Sequence, residues 1–120
     1  VKDQFLIRLN YAALNHRDLW VLREQATPAI PGGVILGSDC AGVIEDAGPD
    51  APLEWVGAEV IINPSLEWGD NPIVNGPSFK ILGSPDHGTF AQYITISKKY
   101  VFEKPENLTL EQAAAVPLSG

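Results

Sequence analysis

In "FLIRLNYAAL" (residues 5–14) apolar positions alternate, with Phe5, Ile7, Leu9 and Tyr11 on one side and further bulk on the other. Period-two alternation predicts a β-strand. "HRDLWVLREQ" (16–25) loses that alternation. Its Leu19, Trp20, Val21 and Leu22 form no clean helical stripe, so a short helical turn is expected. "TPAIPGG" (27–33) reads as an irregular loop set by two prolines and a glycine pair. "VILGSDCAGVIEDAG" (34–48) is mostly β-branched and small residues, a strand punctuated by Gly37, Gly42 and Gly48. Glycine inside such a pattern marks a bulge or a close backbone approach. In "EWVGAEVIIN" (54–63) Gly57 makes a turn and Val60, Ile61 and Ile62 a buried strand. Residues 63–88 are rich in proline and glycine, as in a functional loop or a structural lobe. "TFAQYITI" (89–96) alternates again as a strand. "YVFEKPENLT" (100–109) leads into a helix, where Thr109 and Gln112 form a capping box ahead of "AAAV".

Short strands with glycine-rich corners and one late helix predict a mainly β, barrel-like body without internal repeat or domain boundary. At 120 residues the chain has room for one domain with a modest core, and 45% hydrophobic content argues against disorder. The net charge of −7, with no Lys/Arg run, argues against nucleic acid and anionic membrane as partners, since both need clustered positive charge. No apolar stretch approaches the ~20 residues of a membrane span. The single cysteine, Cys40, cannot form an internal disulfide, which fits a cytoplasmic protein. The chain opens on Val1, contains no methionine, and stops at "VPLSG" after an apolar helical run. It reads as a piece of a longer protein.

The chemistry concentrates in "AALNHRDLWVL" (12–22), where Asn15, His16, Arg17 and Asp18 interrupt an apolar run. Such a break serves a metal, a cofactor or substrate, or only a polar turn between core segments. Catalytic zinc needs about three N, S or O ligands and an open position. His16, Asp39, Cys40 and His87 would have to improvise them, yet strand neighbours Asp39 and Cys40 should point to opposite faces. No Gly-x-Gly occurs, so the dinucleotide-binding glycine turn is absent from this chain.

Five islands, "ALNHRDLWV", "ILGSDCAGVIEDAG", "GAEVIIN", "GTFAQY" and "LTLEQAAAVPLSG", run in order across the chain. Together they resemble the catalytic domain of the medium-chain dehydrogenase/reductase superfamily, in its zinc-independent, quinone-oxidoreductase-like branch. The resemblance implies a GroES-like, partly open β-barrel with short helices. It also implies that residues 1–120 are that domain, incomplete at the N-terminus and ending before a Rossmann domain that binds NADP or NAD. The complete enzyme would act as a homodimer or homotetramer on a quinone, enone or related small-molecule carbonyl, and this piece alone would be inactive. In zinc-dependent relatives a cysteine stands at the position of Asn15 and a histidine at Ser38, and the structural zinc uses four cysteines in the long loop. Residues 63–88 contain none. No zinc is expected.

The resemblance further implies that Asn15 and Arg17 line the cleft as catalytic residues with Asp39, that Asn15 and Trp20 contact substrate, and that His16 reaches the cofactor. The plainer readings stay beside these: Asn15 satisfying a turn, His16 an exposed loop residue, Trp20 in the core and Cys40 a small buried hydrophobe. Asp18 is expected to tie its loop to the neighbouring strand. Asp39, if buried, must be paired, with Arg17 or a lysine of the absent Rossmann domain as its partner, or protonated. Two alternatives remain: a zinc-dependent alcohol dehydrogenase domain, and a non-enzymatic GroES-like binding module docking through "DNPIVNGPSF" (70–79).

Overall fold

The first strand, β1 (Gln4–Ala13), pairs antiparallel with β2 (Asp39–Ala47) on one side. The structure, a computed structural model, describes residues 3–24, 35–83 and 87–118. Beyond β2 lie β3 (Glu59–Ile62) and a small hairpin of β4 (Ser65–Leu66) and β5 (Lys80–Ile81). On its other side β1 pairs with β6 (Tyr93–Ser97), while β7 (Val101–Glu103) pairs with β3. The main sheet therefore runs β6-β1-β2-β3-β7 and curls into a half-barrel, with helices α1 (His16–Glu24) and α2 (Leu110–Ala114) at its margin.

The core is the concave face: Phe5 and Ile7 from β1, Ile44 from β2, Val60 and Ile62 from β3, Ile96 from β6 and Val101 from β7. Phe5 also stacks on Trp55 at 5.9 Å between ring centroids. The predicted alternation of β1 holds only in its first half. Register shifts fall between Leu6 and Ile7 and between Leu9 and Tyr11, and past the second one Tyr11 is 45% exposed. That shift lies opposite Gly42, where an added Cβ would run into the carbonyl oxygen of Arg8. Close backbone approach, as expected, is why glycine sits there.

Other elements differ from the sequence reading. The predicted helical turn is a nine-residue helix, α1. The proline-rich segment contains the β4–β5 hairpin, and its lobe is closed by an edge-on Trp68–Phe79 contact at 5.2 Å and a Trp68 Nε1 bond to the Asn71 carbonyl. β6 begins at Tyr93 rather than Thr89, because Thr89 turns inward to hydrogen-bond the Asp39 carbonyl. β7 was hidden in "YVFEKP", which shows no alternation long enough to read. "TPAIPGG" lies outside the described residues.

The capping box forms as predicted: Gln112 N donates to Thr109 Oγ1 and Thr109 N to Gln112 Oε1, both at 3.1 Å. It starts a short helix that buries Ala113 and Ala114 and packs on β1 and β2. Among the described residues no helix is long and apolar enough to cross a membrane.

Candidate functional site

The site lies where β1 ends, α1 begins and β2 starts. Antiparallel register puts Ala13 opposite Asp39. The two residues after Ala13 therefore emerge beside Ser38 and Asp39. Gly37 turns the chain into this position with φ of +104°, and a Cβ there would stand 2.5 Å from Thr89 Oγ1. Only glycine fits both the dihedral and the space.

Asn15 precedes the first helical residue, where an asparagine side chain ordinarily accepts an N–H from the first turn. Among the described residues that local bond is not made. Asp18 N donates to the Asn15 backbone carbonyl at 3.0 Å, and Asn15 N donates to Asp18 Oδ2 at 2.9 Å. The side chain of Asn15 leaves its own helix, and Nδ2 donates to Asp39 Oδ2 at 2.9 Å. Asp39 Oδ1 accepts the backbone N–H of Leu118, also at 2.9 Å. Asp39 is fully buried. Burial pushes its carboxyl above the ordinary value, the nearby Asp18 charge adds to this, and the bonds from Asn15 and Leu118 act against it.

Arg17 does not pair with Asp39, contrary to one sequence expectation. Its Nη1 donates to Ser38 Oγ at 2.9 Å and to the Leu82 carbonyl at 3.1 Å, and Ser38 Oγ itself donates to that carbonyl at 2.6 Å. Position 82 is far away in sequence, so no local pattern announces the triangle. Asp18 was expected to reach the neighbouring strand, and instead it closes its own turn. Its Oδ1 is buried without a partner among the described residues.

His16 is exposed and stacks on Trp20 one helical turn on, at 5.6 Å and 13° between planes. Trp20 is 52% exposed, so it is not a core residue. Leu14, Leu19 and Leu22 stand exposed around the same turn. Cys40 is buried and its thiol is pushed up to about 12, by burial first and the Asp39 charge second. His87 accepts Ile35 N at Nδ1. Among the described residues no three His, Cys, Asp or Glu side chains cluster as metal ligands.

Asn15, Arg17, Ser38 and Asp39 are thus brought together, with His16 and Trp20 on the adjoining helix face. Sequence reasoning did not single out Thr89, the Leu82 carbonyl or the Leu118 N–H. A hollow of about 770 Å³ lies along β6 and is lined by none of the site residues. Away from that hollow, the hydrogen-bond network gathers the buried polar side chains of Ser38 and Asp39. Chemically the site presents an amide and a fixed guanidinium charge. A guanidinium has N–H donors, no acceptor and a fixed positive charge, and here it sits on Ser38 Oγ.

Residues 1–106 match the alcohol dehydrogenase GroES-like domain. Over 118 residues the chain is 32% identical to the trans-enoyl reductase tazE of Aspergillus terreus, covering 98% of this chain and 36% of that protein. It is also 32% identical over 129 residues to the zinc-type alcohol dehydrogenase-like protein YogA of Leptosphaeria maculans, covering 98% and 35% respectively. The crystal structure of an NAD-dependent alcohol dehydrogenase superposes with a TM-score of 0.86 at 39% identity, over 97% of this chain and 36% of that one. The chain spans about a third of the length of these proteins.

Proposed function

Because this chain belongs to the alcohol dehydrogenase GroES-like domain family of the medium-chain dehydrogenase/reductase superfamily, we propose that it forms one wall of the substrate cleft in a zinc-independent, NAD(P)H-dependent reductase. The acceptor is an enone, a quinone or a related carbonyl. The observation that carries this reading is the use made of positions 15 and 38, where an amide and a hydroxyl are tied into hydrogen bonds with Asp39 and Arg17. Amide oxygen and hydroxyl are poor substitutes for thiolate and imidazole as zinc ligands. The name of the YogA relative favours zinc; the donor set present here does not fit it.

The reduced nicotinamide, when bound, supplies the hydride. This chain's residues bind and orient. Asn15 keeps Oδ1 and one N–H free of Asp39, which suits a substrate oxygen or an amide. Among the described residues Arg17 hydrogen-bonds through Nη1 alone, leaving its other N–H groups for a substrate oxygen or a cofactor phosphate. His16, exposed on α1, is the second group for the cofactor. The name trans-enoyl reductase borne by one relative supports an α,β-unsaturated carbonyl as acceptor. The nucleotide is held by a further domain outside these residues. Its support is the greater length of the relatives, the missing glycine turn, and the apolar ridge of Leu14, Leu19, Trp20 and Leu22 left uncovered here.

Steady-state kinetics on the full-length protein with NADPH or NADH and a 2-enone or quinone test this. Asn15→Ala should lower kcat by ~10²–10³, the cost of one hydrogen bond to a developing oxyanion. Arg17→Ala should instead raise KM with little change in kcat, as expected for lost ground-state positioning. Thermal melts run alongside exclude misfolding. Unchanged kcat and kcat/KM in Asn15→Ala would overturn the reading and leave "NHRD" a polar turn.

A further inference from the structure

Asp39 is fully buried, so it cannot itself touch a substrate. Its two oxygens are nevertheless taken by donors 24 and 79 residues away, Asn15 Nδ2 and Leu118 N. Its backbone is pinned as well, by the β-register with Ala13 and by the Thr89 hydroxyl on its carbonyl. Above its raised titration point Asp39 is an ionised carboxylate, which only accepts hydrogen bonds. Asn15 must therefore turn Nδ2 inward and Oδ1 outward, and the alternative in which Oδ1 caps α1 is given up.

We propose that Asp39 is a positioning residue that sets the polarity of the Asn15 amide at the cleft and ties that amide to the segment following α2. The proposal rests on the reading that Asn15 faces the substrate. An asparagine at position 39 has the same shape but only one acceptor oxygen. With that oxygen on Leu118 N–H, its own NH₂ faces Asn15, whose amide must then turn over and show Nδ2 to the cleft. Asp39→Asn thus inverts the amide while keeping volume and the Leu118 bond.

The experiment compares Asn15→Ala, Asp39→Asn and the double variant in the full-length protein, using a 2-enone and reduced nicotinamide. Asp39→Asn should lose about tenfold to hundredfold in kcat with KM nearly unchanged. The double variant should be no slower than Asn15→Ala alone, because Asp39 acts through Asn15. Unchanged kcat in Asp39→Asn, or a double variant slowed by the product of the two single effects, overturns the proposal. A second arm needs no turnover. Amide hydrogen exchange at Leu118 should accelerate in Asp39→Ala and stay as in the wild type in Asn15→Ala and Asp39→Asn. Asp39→Ser, too short to reach Leu118, replaces Asp39→Ala if that variant does not fold. Wild-type exchange in the shortened variant overturns the tie. If no acceptor is reduced, the functional reading fails by itself while exchange still decides the role of Asp39.

Discussion

Asp39 and Asp18 place two carboxylates close together, one fully buried and the other with an oxygen lacking any partner among the described residues. Burial holds the Asp39 value above its ordinary 3.8, and the Asp18 charge contributes. The native state thus binds this proton more tightly than the unfolded chain does. The stability that follows is fully present below 3.8 and is lost as pH rises through the higher folded value. Urea unfolding across that range should show this decline in the wild type and lack it in Asp39→Asn; superimposable profiles would contradict it. Removing the neighbouring charge with Asp18→Asn should move the Asp39 midpoint down toward 3.8, read by carbon-detected carboxyl titration. At this scale the sequence was half legible. The "NHRD" turn stood out because four polar residues interrupt an apolar run. The partner of Asp39 did not, because it depends on the register that sets Ala13 beside it and on Leu118 returning from the far end of the chain.

Elements were legible where their signal is local. Thr109 and Gln112 sit three residues apart, and the capping box they predict is formed. Thr109→Ala should cost ~0.5–2 kcal/mol in thermal or denaturant unfolding. It should also loosen Leu118, since α2 is what delivers that residue to Asp39. Gly42 was legible as a close approach, and the obstacle is the rigid carbonyl of Arg8 rather than a flexible side chain. Gly42→Ala must push β1 and β2 apart, at a cost of ~1–3 kcal/mol. A smaller shift in the denaturation midpoint would show that the bulge absorbs the methyl group. The missed elements are those held by distant partners. β7 exists because β3 offers it an edge, and the β4–β5 hairpin is supported by the Trp68–Phe79 contact across its loop. Helix α1 escaped pattern reading for a different reason. Its apolar residues Leu19, Trp20 and Leu22 face outward, so they trace no stripe toward this core.

For the molecule as a whole, the half-barrel and its family were readable because five ordered islands are a global signal that no single residue carries. On the proposed reading, the amide of Asn15 and the hydroxyl of Ser38, bonded to Asp39 and Arg17, stand where a metal would otherwise be held. Leu14, Leu19, Trp20 and Leu22 stand exposed around α1, which suits the second cleft wall proposed above. The most direct test is turnover of a 2-enone by the full-length protein with reduced nicotinamide, measured before and after exhaustive dialysis against a chelator. The account predicts the same kcat in both samples, with zinc far below one per chain by elemental analysis. A loss of turnover that added zinc restores, with about one zinc bound per chain, would contradict it.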